Sequence, residues 1–242
     1  HVRSRRQRQM CIRDRLYSSF CNGEMLLTNA TTAEMAKLTE NSFRDVNIAF
    51  ANELSIISDK LGIDVWELIE LANHHPRVNI LSPGPGVGGH CIAVDPWFIV
   101  SSAQEEAKLI RTAREVNDGK PAYVIAKITE AVEAEGADSI AALGIAFKPD
   151  IDDLRESPAL SIVQQMAEKW PEKNILVAEP NVNELPESLT AYQNVQLVDA
   201  SHAISSSPVV AVLVDHTPFK SLEKSVLEGK NVVDTRGMWS LS

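Results

Sequence analysis

Hydrophobic positions divide the chain into a helical part and a part in which strands and helices alternate. Between residues 31 and 60 there is no glycine or proline, and apolar residues recur every three or four positions, which predicts one long amphipathic helix. Thr31 or Thr32 is the expected N-cap. The apolar stripe consists of Met35, Leu38, Phe43, Val46, Phe50, Leu54, Ile57 and Leu61. A stripe of this kind usually faces the protein core.

Shorter helices are predicted after the long one. Gly62 ends the long helix, and Asp64 is expected to cap a second helix at residues 65–73. A third helix is predicted to start with Asp95 as N-cap and Pro96 at the first helical position, and to run on to residue 116. The polar stretch at residues 117–121 predicts a break before a further helix at residues 122–135.

The remaining pattern predicts a parallel α/β sheet. Short apolar runs occur at residues 139–146, 174–178, 195–198, 208–214 and 231–234, with a helical segment at 158–169. Strands that alternate with helices form parallel sheets. The fold class is therefore α/β, with a helical central region followed by a Rossmann-like parallel-sheet C-terminal domain. Ligands bind such sheets at the carboxyl ends of the strands. The polar residues at those ends are Phe147–Pro149, Glu179, Asp215, His216 and Asp234–Arg236.

Composition narrows the class of partner. The 242-residue chain has a formal net charge of -10, which argues against nucleic acid. No apolar run reaches membrane-spanning length. Three cysteines, at positions 11, 21 and 91, form no disulfide framework and favour a reducing, cytoplasmic compartment.

The first 30 residues differ from the rest. Residues 1–15 contain six arginines and one aspartate, and they have neither apolar periodicity nor a signal-peptide core. We interpret residues 1–15 as a non-native leader, with a basic nucleic-acid-binding arm as the alternative. Residues 16–30 have little pattern.

The most informative stretch is glycine-rich and runs from Leu81 to Phe98. Four of the eleven glycines lie in it, and glycine lets the backbone approach a ligand closely. Cys91 follows these glycines directly, and Asp95 comes four residues later. A cysteine at a helix N-terminus favours the thiolate form. The stretch therefore suggests a nucleophilic cysteine beside a ligand-binding loop.

Three other interpretations compete. Cys91 could be a free cysteine in a structural turn, as most lone cysteines are. The spacing of Gly84, Gly86 and Gly89 fits the dinucleotide fingerprint, but no buried strand precedes it and no crossover helix follows. A zinc site would draw on His74, His75 and His90 with Cys91 and Asp95, but the usual paired spacing of zinc ligands is missing, so no metal is expected.

A polar row lies on another face of the long helix. Lys37, Asn41 and Arg44 follow one another at four- and three-residue steps and therefore share that face. Such rows are usually solvated. A catalytic role requires a partner elsewhere in the chain.

Three motifs together resemble those of the nucleotide-sugar 6-dehydrogenases. They are residues 34–41, the glycine-rich stretch with Cys91 and Asp95, and residues 146–157, and the resemblance covers roughly residues 25–240. The Gly-Gly-His-Cys sequence and residues 73–77 resemble the branch that oxidises UDP-N-acetyl-D-mannosamine. The UDP-glucose and GDP-mannose enzymes tend to have Gly-Gly-Ser-Cys. Another UDP-N-acetylhexosamine dehydrogenase of bacterial polysaccharide synthesis is the close alternative.

The resemblance implies a domain organisation. These enzymes have an NAD-binding domain, a central helical dimerisation region and a nucleotide-sugar-binding domain. It implies that residues 16–30 are the remnant of the first domain, that residues 31–118 are the central region, and that residues 119–242 bind the UDP-sugar. It also implies NAD as cofactor, a homodimer through the long helix, and no activity of this chain by itself. An inactive, dimerising nucleotide-binding module is the alternative.

The resemblance further implies roles for the catalytic residues. Cys91 matches the nucleophile that carries the thioester in the second oxidation. Lys37 matches the cation that faces the developing oxyanion, with Asn41 beside it. Asp95 matches the carboxylate that positions Lys37 and water.

Binding residues follow from the same resemblance. Lys148 and Arg236 would contact the nucleotide sugar, with Phe147 beside them, because cations bind a diphosphate well. The sugar would lie against the backbone of Gly86, Val87, Gly88 and Gly89. Arg44 and His75 are candidates for its N-acetyl end, and Arg77 would reach the substrate of the neighbouring subunit. Arg155 would approach NAD, together with Cys91 and Val94.

Overall fold

The computed structural model describes residues 15–239, which form two compact units, one ending at Lys37 and one beginning at Leu38. Except for Arg15, the predicted leader lies outside the described residues. The first unit contains the start of helix α1 (Ala30–Leu61). The Asn29 side chain accepts a hydrogen bond from the backbone N–H of Thr32 at 2.9 Å. Asn29 therefore caps the helix, and the prediction of Thr31 or Thr32 as cap is wrong.

From Leu38 onward, helix α1 buries much of its polar face and exposes part of its apolar stripe. Phe43 and Phe50 are 69% and 54% exposed. The residues buried along this part of the helix are Asn41, Ser42, Asp45, Ala49, Ala51, Asn52 and Ser58. The expectation that the apolar stripe faces the core is wrong for Phe43 and Phe50, whereas Leu38 packs against a buried cluster on α3 and the segment after it. The polar face is buried because it finds hydrogen-bonding partners on another helix.

That partner is helix α4 (Lys108–Glu135), which follows α2 (Val65–Asn73) and α3 (Asp95–Ser102). The predicted capping of α2 by Asp64 is confirmed by its hydrogen bonds to the N–H groups of Trp66 and Glu67. The predicted break at residues 117–121 is wrong, since α4 continues through Pro121. Buried hydrogen bonds from Asn117 to α1 hold this turn in place, and such tertiary contacts override local propensity.

The C-terminal part forms the predicted parallel sheet. Its strands are β1 (Ser139–Leu143), β2 (Asn174–Ala178), β3 (Val195–Leu197), β4 (Val209–Val212) and β5 (Asn231–Asp234). All pairs are parallel and the order is β3-β2-β1-β4-β5. The helices of this part are α5 (Pro158–Lys169), α6 (Glu187–Thr190), α7 (Ala200–Ser206) and α8 (Thr217–Lys220), with a 3-10 turn at Lys224–Leu227.

The two faces of the sheet are both covered. Helices α4 and α5 pack on one face, where Ile128 and Ile162 meet Ile140 and Val177. Ile204 of α7 and Phe219 pack on the other. The order in which successive strands are added to the sheet reverses between β1 and β4, which makes the carboxyl ends of these two parallel strands the expected ligand position. Among residues 15–239, no helix is both long and apolar enough to span a bilayer.

Candidate active site

The glycine-rich loop lies against the carboxyl edge of the sheet. A Cβ atom at Gly88 would collide with the carbonyl oxygen of Glu156, so only glycine allows this close approach. The position of a Cβ at Gly84 is 2.7 Å from Nη1 of Arg236, and that of a Cβ at Gly89 is 3.2 Å from the ring of Phe147. The loop that precedes Cys91 is therefore in contact with Arg236 and Phe147, two of the residues predicted to bind the nucleotide sugar.

Cys91 is exposed and begins the turn that leads into α3. Its carbonyl oxygen accepts hydrogen bonds from the N–H groups of Val94, at 3.2 Å, and Asp95, at 2.8 Å. Asp95 is consequently the first residue of α3, and the cap position is Val94, which makes no side-chain capping bond. The predicted capping role of Asp95 is wrong, because its carboxylate points elsewhere.

The carboxylate of Asp95 reaches helix α1. Its Oδ2 accepts a hydrogen bond of 2.5 Å from Nδ2 of the buried Asn41. Two of the predicted catalytic residues, 54 positions apart, are thus in direct contact. Lys37 lies one turn earlier on α1, in the first unit, and its role beside Asp95 stays a prediction.

Phe147 and Lys148 lie in the loop after β1. The ring of Phe147 contacts the glycine-rich loop, and Nζ of the exposed Lys148 lies 5.6 Å from the centre of this ring. A cation over an aromatic face is attracted by the ring electrons. Lys148 therefore presents its charge to solvent beside Gly89.

Arg236 follows strand β5, and a carboxylate holds it. Its Nε donates to Oδ1 of Asp215 at 2.8 Å, and Lys220 donates to the other oxygen at 2.6 Å. Burial opposes ionisation of Asp215, but the two cations outweigh it and lower the pKa of its carboxyl. Nε is bound to Asp215, and Nη1 of Arg236 lies near Gly84. Guanidinium groups bind phosphate oxygens well.

A buried polar network fixes the start of the glycine-rich loop. The N–H of Gly84 donates to Oδ1 of Asn52 at 2.9 Å, and Asn52 donates to Asn117 at 2.8 Å. Asn117 in turn donates to Asp45 at 2.8 Å, and Asp45 is paired with Arg114 at 2.5 Å. Arg114 and Asp45 are 1% and 0% exposed. The loop is therefore attached to a buried ion pair.

Sequence reasoning missed this network. Asn52 and Asp45 lie on α1 away from its apolar stripe. Their position on the polar face of the helix was the one feature of the sequence that could have indicated a buried network. The partners of Asn52 and Asp45 in the network are 32 to 72 residues away, so no local pattern connects them.

Within the described part of the chain, the predicted residues Arg44, His75, Arg77 and Arg155 form no hydrogen bond or ion pair with the glycine-rich loop, Phe147, Lys148 or Arg236. Arg44, His75 and Arg77 are exposed, and the N–H of Arg77 donates to Nδ1 of His75 at 3.3 Å. Arg155 is exposed and donates from Nε, at 2.8 Å, and Nη2, at 2.6 Å, to the carboxylate of Asp153.

Asp153 links Arg155 to the cysteine loop. The hydrogen bonds from Arg155 hold the pKa of Asp153 well below its usual range, and nearby His90 contributes in the same direction. Arg155, Cys91 and Val94 are all exposed.

A cavity of about 760 Å³ lies beside this site. Its lining includes Asp59, Trp66, Lys120 and Tyr123, and it reaches Thr235 next to Arg236. It contains none of the predicted catalytic residues, so we assign the chemistry to the loop edge and not to this cavity.

Two segments match two parts of one protein family. Residues 31–119 match the central domain of the UDP-glucose/GDP-mannose dehydrogenase family, and residues 141–241 match its UDP binding domain.

Individual relatives extend the match over most of the chain. A protein named NDP-N-acetyl-D-galactosaminuronic acid dehydrogenase from Ralstonia nicotianae is 57% identical over 93% of the chain and 52% of its own length. A UDP-N-acetyl-D-mannosamine dehydrogenase from Campylobacter jejuni is 62% identical over 85% of the chain and 50% of its own length. The solved UDP-D-ManNAc dehydrogenase of Pyrococcus horikoshii superposes with a TM-score of 0.81 at 37% identity, over 96% of the chain and 54% of that structure. The chain thus spans about half the length of these relatives.

Proposed function

Since this chain belongs to the UDP-glucose/GDP-mannose dehydrogenase family, we propose that it binds a UDP-N-acetylhexosamine and supplies the cysteine for its NAD-dependent oxidation. The substrate is UDP-N-acetyl-D-mannosamine, whose C6 alcohol is oxidised in two steps to the carboxylate of a uronic acid. The product is a precursor for bacterial surface polysaccharide.

One observation carries this proposal. The glycine-rich loop that leads to Cys91 contacts Arg236 and Phe147 at the carboxyl edge of the sheet. Arg236 and Lys148 bring two positive charges to this edge, and a UDP-sugar carries a diphosphate that such cations bind. A nucleotide held there would place its sugar along Gly86 to Gly89, and so toward the thiol.

The chemistry then follows from the residues beside the thiol. The thiolate of Cys91 adds to the C6 aldehyde and forms a thiohemiacetal; loss of hydride leaves a thioester, which water cleaves to the carboxylate and free thiol. Asp95, fixed by Asn41, acts as the base that positions this water. By the resemblance, Lys37 is the cation that stabilises the oxygen that becomes negative in both steps. Each oxidation releases one hydride, which NAD takes up when it is bound.

The residues present fit NAD at one edge. Cys91, Val94 and the cationic Arg155 are exposed and would line the outer surface of the cofactor. The sheet itself does not fit, because a dinucleotide-binding sheet uses an acidic residue near this position for a ribose hydroxyl. Glu179, which follows β2, is buried and accepts hydrogen bonds from the protein on both oxygens.

The exposed apolar face of α1 supports a homodimer. Phe43, Phe50 and Ile57 follow one another at seven-residue steps and are exposed, as is Leu61. A second copy that packs its α1 against this face would remove these side chains from water. Arg77 would then serve the substrate of the neighbouring subunit, and Arg44 and His75 the N-acetyl group. The exposed thiol of Cys91 supports a reducing compartment, and we propose the cytoplasm.

Calorimetric titration of the chain with UDP tests nucleotide binding. Loss of a hydrogen bond to a charged group typically costs about 1.5–3 kcal/mol. Arg236→Ala and Lys148→Ala should therefore each lower the affinity for UDP about 10- to 100-fold. Lys173→Ala is the matched control, because Lys173 lies just before β2, at the opposite edge of the sheet. If Lys173→Ala lowers the affinity for UDP as much as the other two variants do, the assigned site is wrong.

The identity of the sugar is tested by comparing the affinities of the chain for four ligands. UDP-N-acetyl-D-mannosamine should bind more tightly than UDP, UDP-glucose and UDP-N-acetyl-D-galactosamine. The name of the Ralstonia nicotianae relative favours a second candidate, a UDP-N-acetyl-D-galactosamine series substrate. Tighter binding of the galactosamine sugar would decide for that alternative.

A further inference from the structure

Two buried ionisable residues meet at the carboxyl ends of β2 and β4. The side chains of Glu179 and His216 are both 0% exposed, and Nε2 of His216 lies 3.0 Å from Oε2 of Glu179. Neither residue can contact a ligand from this position. The roles proposed above do not involve them.

Glu179 binds the start of the loop after β1. Its Oε2 accepts the N–H groups of Ile145, at 2.9 Å, and Ala146, at 3.1 Å. Its Oε1 accepts the backbone and side-chain N–H groups of Asn181. Burial opposes ionisation of Glu179, but the hydrogen bonds from His216, Ile145 and Asn181 outweigh it and lower its pKa. The carboxylate is therefore charged and fully used inside the protein.

His216 binds the end of the same loop. The N–H of Asp150 donates to Nδ1 of His216 at 3.0 Å, so Nδ1 is an acceptor and the ring proton is on Nε2, facing Glu179. This assigns a neutral imidazole. The carboxylate of Asp150 also accepts two hydrogen bonds from Thr217, at 2.8 and 2.7 Å. These bonds hold Asp150 at a φ of 60°, a conformation that non-glycine residues rarely adopt.

Only Phe147, Lys148 and Pro149 lie between these two anchors. Glu179 fixes the backbone before them and His216 fixes it after them. The direction in which Phe147 and Lys148 leave the loop is therefore set by a buried pair that belongs to other strands. The backbone N–H groups of Ile145, Ala146 and Asp150 all donate to Glu179 or His216. The main effect of this buried pair is therefore to hold the loop after β1.

We propose that Glu179 and His216 are positioning residues for the nucleotide sugar, which act by holding Lys148 and Phe147 toward the diphosphate. This inference rests on the proposed function, because it takes UDP as the ligand of Lys148. It assigns the pair a role in affinity and none in the chemical steps.

UDP affinity of His216 variants tests the inference. His216→Ala removes the anchor at Asp150 and the ring partner of Glu179, and should weaken UDP binding about tenfold, the result of losing one well-placed contact. His216→Asn places an oxygen where Nδ1 was, keeps the bond from Asp150, and should recover most of the affinity. Asn194→Ala is the matched control: Asn194 donates to the carbonyls of Ala167 and Trp170 before β3, at the amino edge of the sheet. It should lower thermal stability and leave the UDP affinity unchanged.

A double-mutant cycle shows whether His216 acts through Lys148. In a Lys148→Ala background, His216→Ala should change UDP affinity less than twofold, because the group that it positions is already gone. A residue that only stabilises the fold would give the same effect in both backgrounds. All titrations are made at a temperature at which circular dichroism shows each variant folded. If His216→Ala does not fold, Glu179→Gln replaces it, with an expected loss of a few fold that also vanishes without Lys148.

The outcomes separate the two proposals. No UDP binding by the parent chain, or no effect of Lys148→Ala, would overturn the proposed function. UDP binding that depends on Lys148 but is weakened equally by His216→Ala and Asn194→Ala would overturn the positioning role alone. Equal effects of His216→Ala in the presence and absence of Lys148 would do the same.

Discussion

Removal of the Asn52 side chain should loosen the glycine-rich loop and destabilise the protein. Asn52 is 0% exposed. It accepts the N–H of Gly84 and donates to Asn117, at 2.9 and 2.8 Å. Asn52→Ala leaves both of these buried groups without a partner. An unsatisfied buried group costs about 1–3 kcal/mol, so the two together should lower the free energy of unfolding by roughly 2–5 kcal/mol.

Urea denaturation measures this loss. With a slope of about 1–3 kcal/mol per molar urea, a loss of that size shifts the midpoint by about 1 M or more without a change in slope. Asn47→Ala is the control on the same helix. The Asn47 side chain donates to the carbonyl of Phe43 on the exposed side, at 2.6 Å, and its removal should cost less than about 0.5 kcal/mol.

Hydrogen exchange shows whether the loop is affected. In the parent protein the Gly84 amide is buried and bonded to Asn52, so it should exchange slowly. Asn52→Ala should speed exchange in the peptide that contains Gly84, and Asn47→Ala should not. A loss of stability below about 1 kcal/mol together with unchanged exchange would refute the reasoning that the buried network holds this loop.

Three further changes test other parts of the structure. Gly88→Ala should abolish tight UDP binding, measured by titration, since the added methyl group collides with Glu156. The control Gly119→Ala has open space around it in α4 and should raise stability by about 0.5–1 kcal/mol. Phe50→Asp should convert a dimer to a monomer in sedimentation velocity, and a dimer that persists would exclude the α1 face as the interface. Burial lowers the pKa of Lys120 from 10.5 to about 8, so its cost to stability is complete below pH 8 and disappears as the pH rises toward 10.5. The stability advantage of Lys120→Met over the parent protein in urea should therefore shrink from pH 8 to pH 10, and a constant advantage would contradict the buried lysine.

The sequence pattern predicted the parts of the fold that depend on neighbouring residues. Each strand was located to within a few residues, because buried parallel strands are short apolar runs between polar turns. The glycine-rich loop was located because its glycines and Cys91 are adjacent. Asp64 was recognised as a cap since a capping bond spans only two or three residues.

Three of the errors share a cause, which is bonding between distant polar residues, whereas the cap of α1 was missed although its bond between Asn29 and Thr32 is local. Periodicity showed that α1 has an apolar and a polar face, but not which one is buried. That depends on Asn117 and Arg114, which satisfy the polar face from another helix. Local rules also predicted a helix break near Pro121 and a capping role for Asp95. In both cases a partner on α1 changed the result.

The same distant bonds explain how the site is held together. Two loops form it: one carries the glycines and Cys91, the other Phe147 and Lys148. Each loop is fixed by a buried carboxylate outside it, Asp45 through Asn117 and Asn52 for the first loop, and Glu179 directly for the second. Because a buried charge is costly to leave unpaired, these carboxylates bind their partners firmly and restrict the backbone that they hold. Ligand affinity should therefore respond to substitutions at buried positions that no ligand touches.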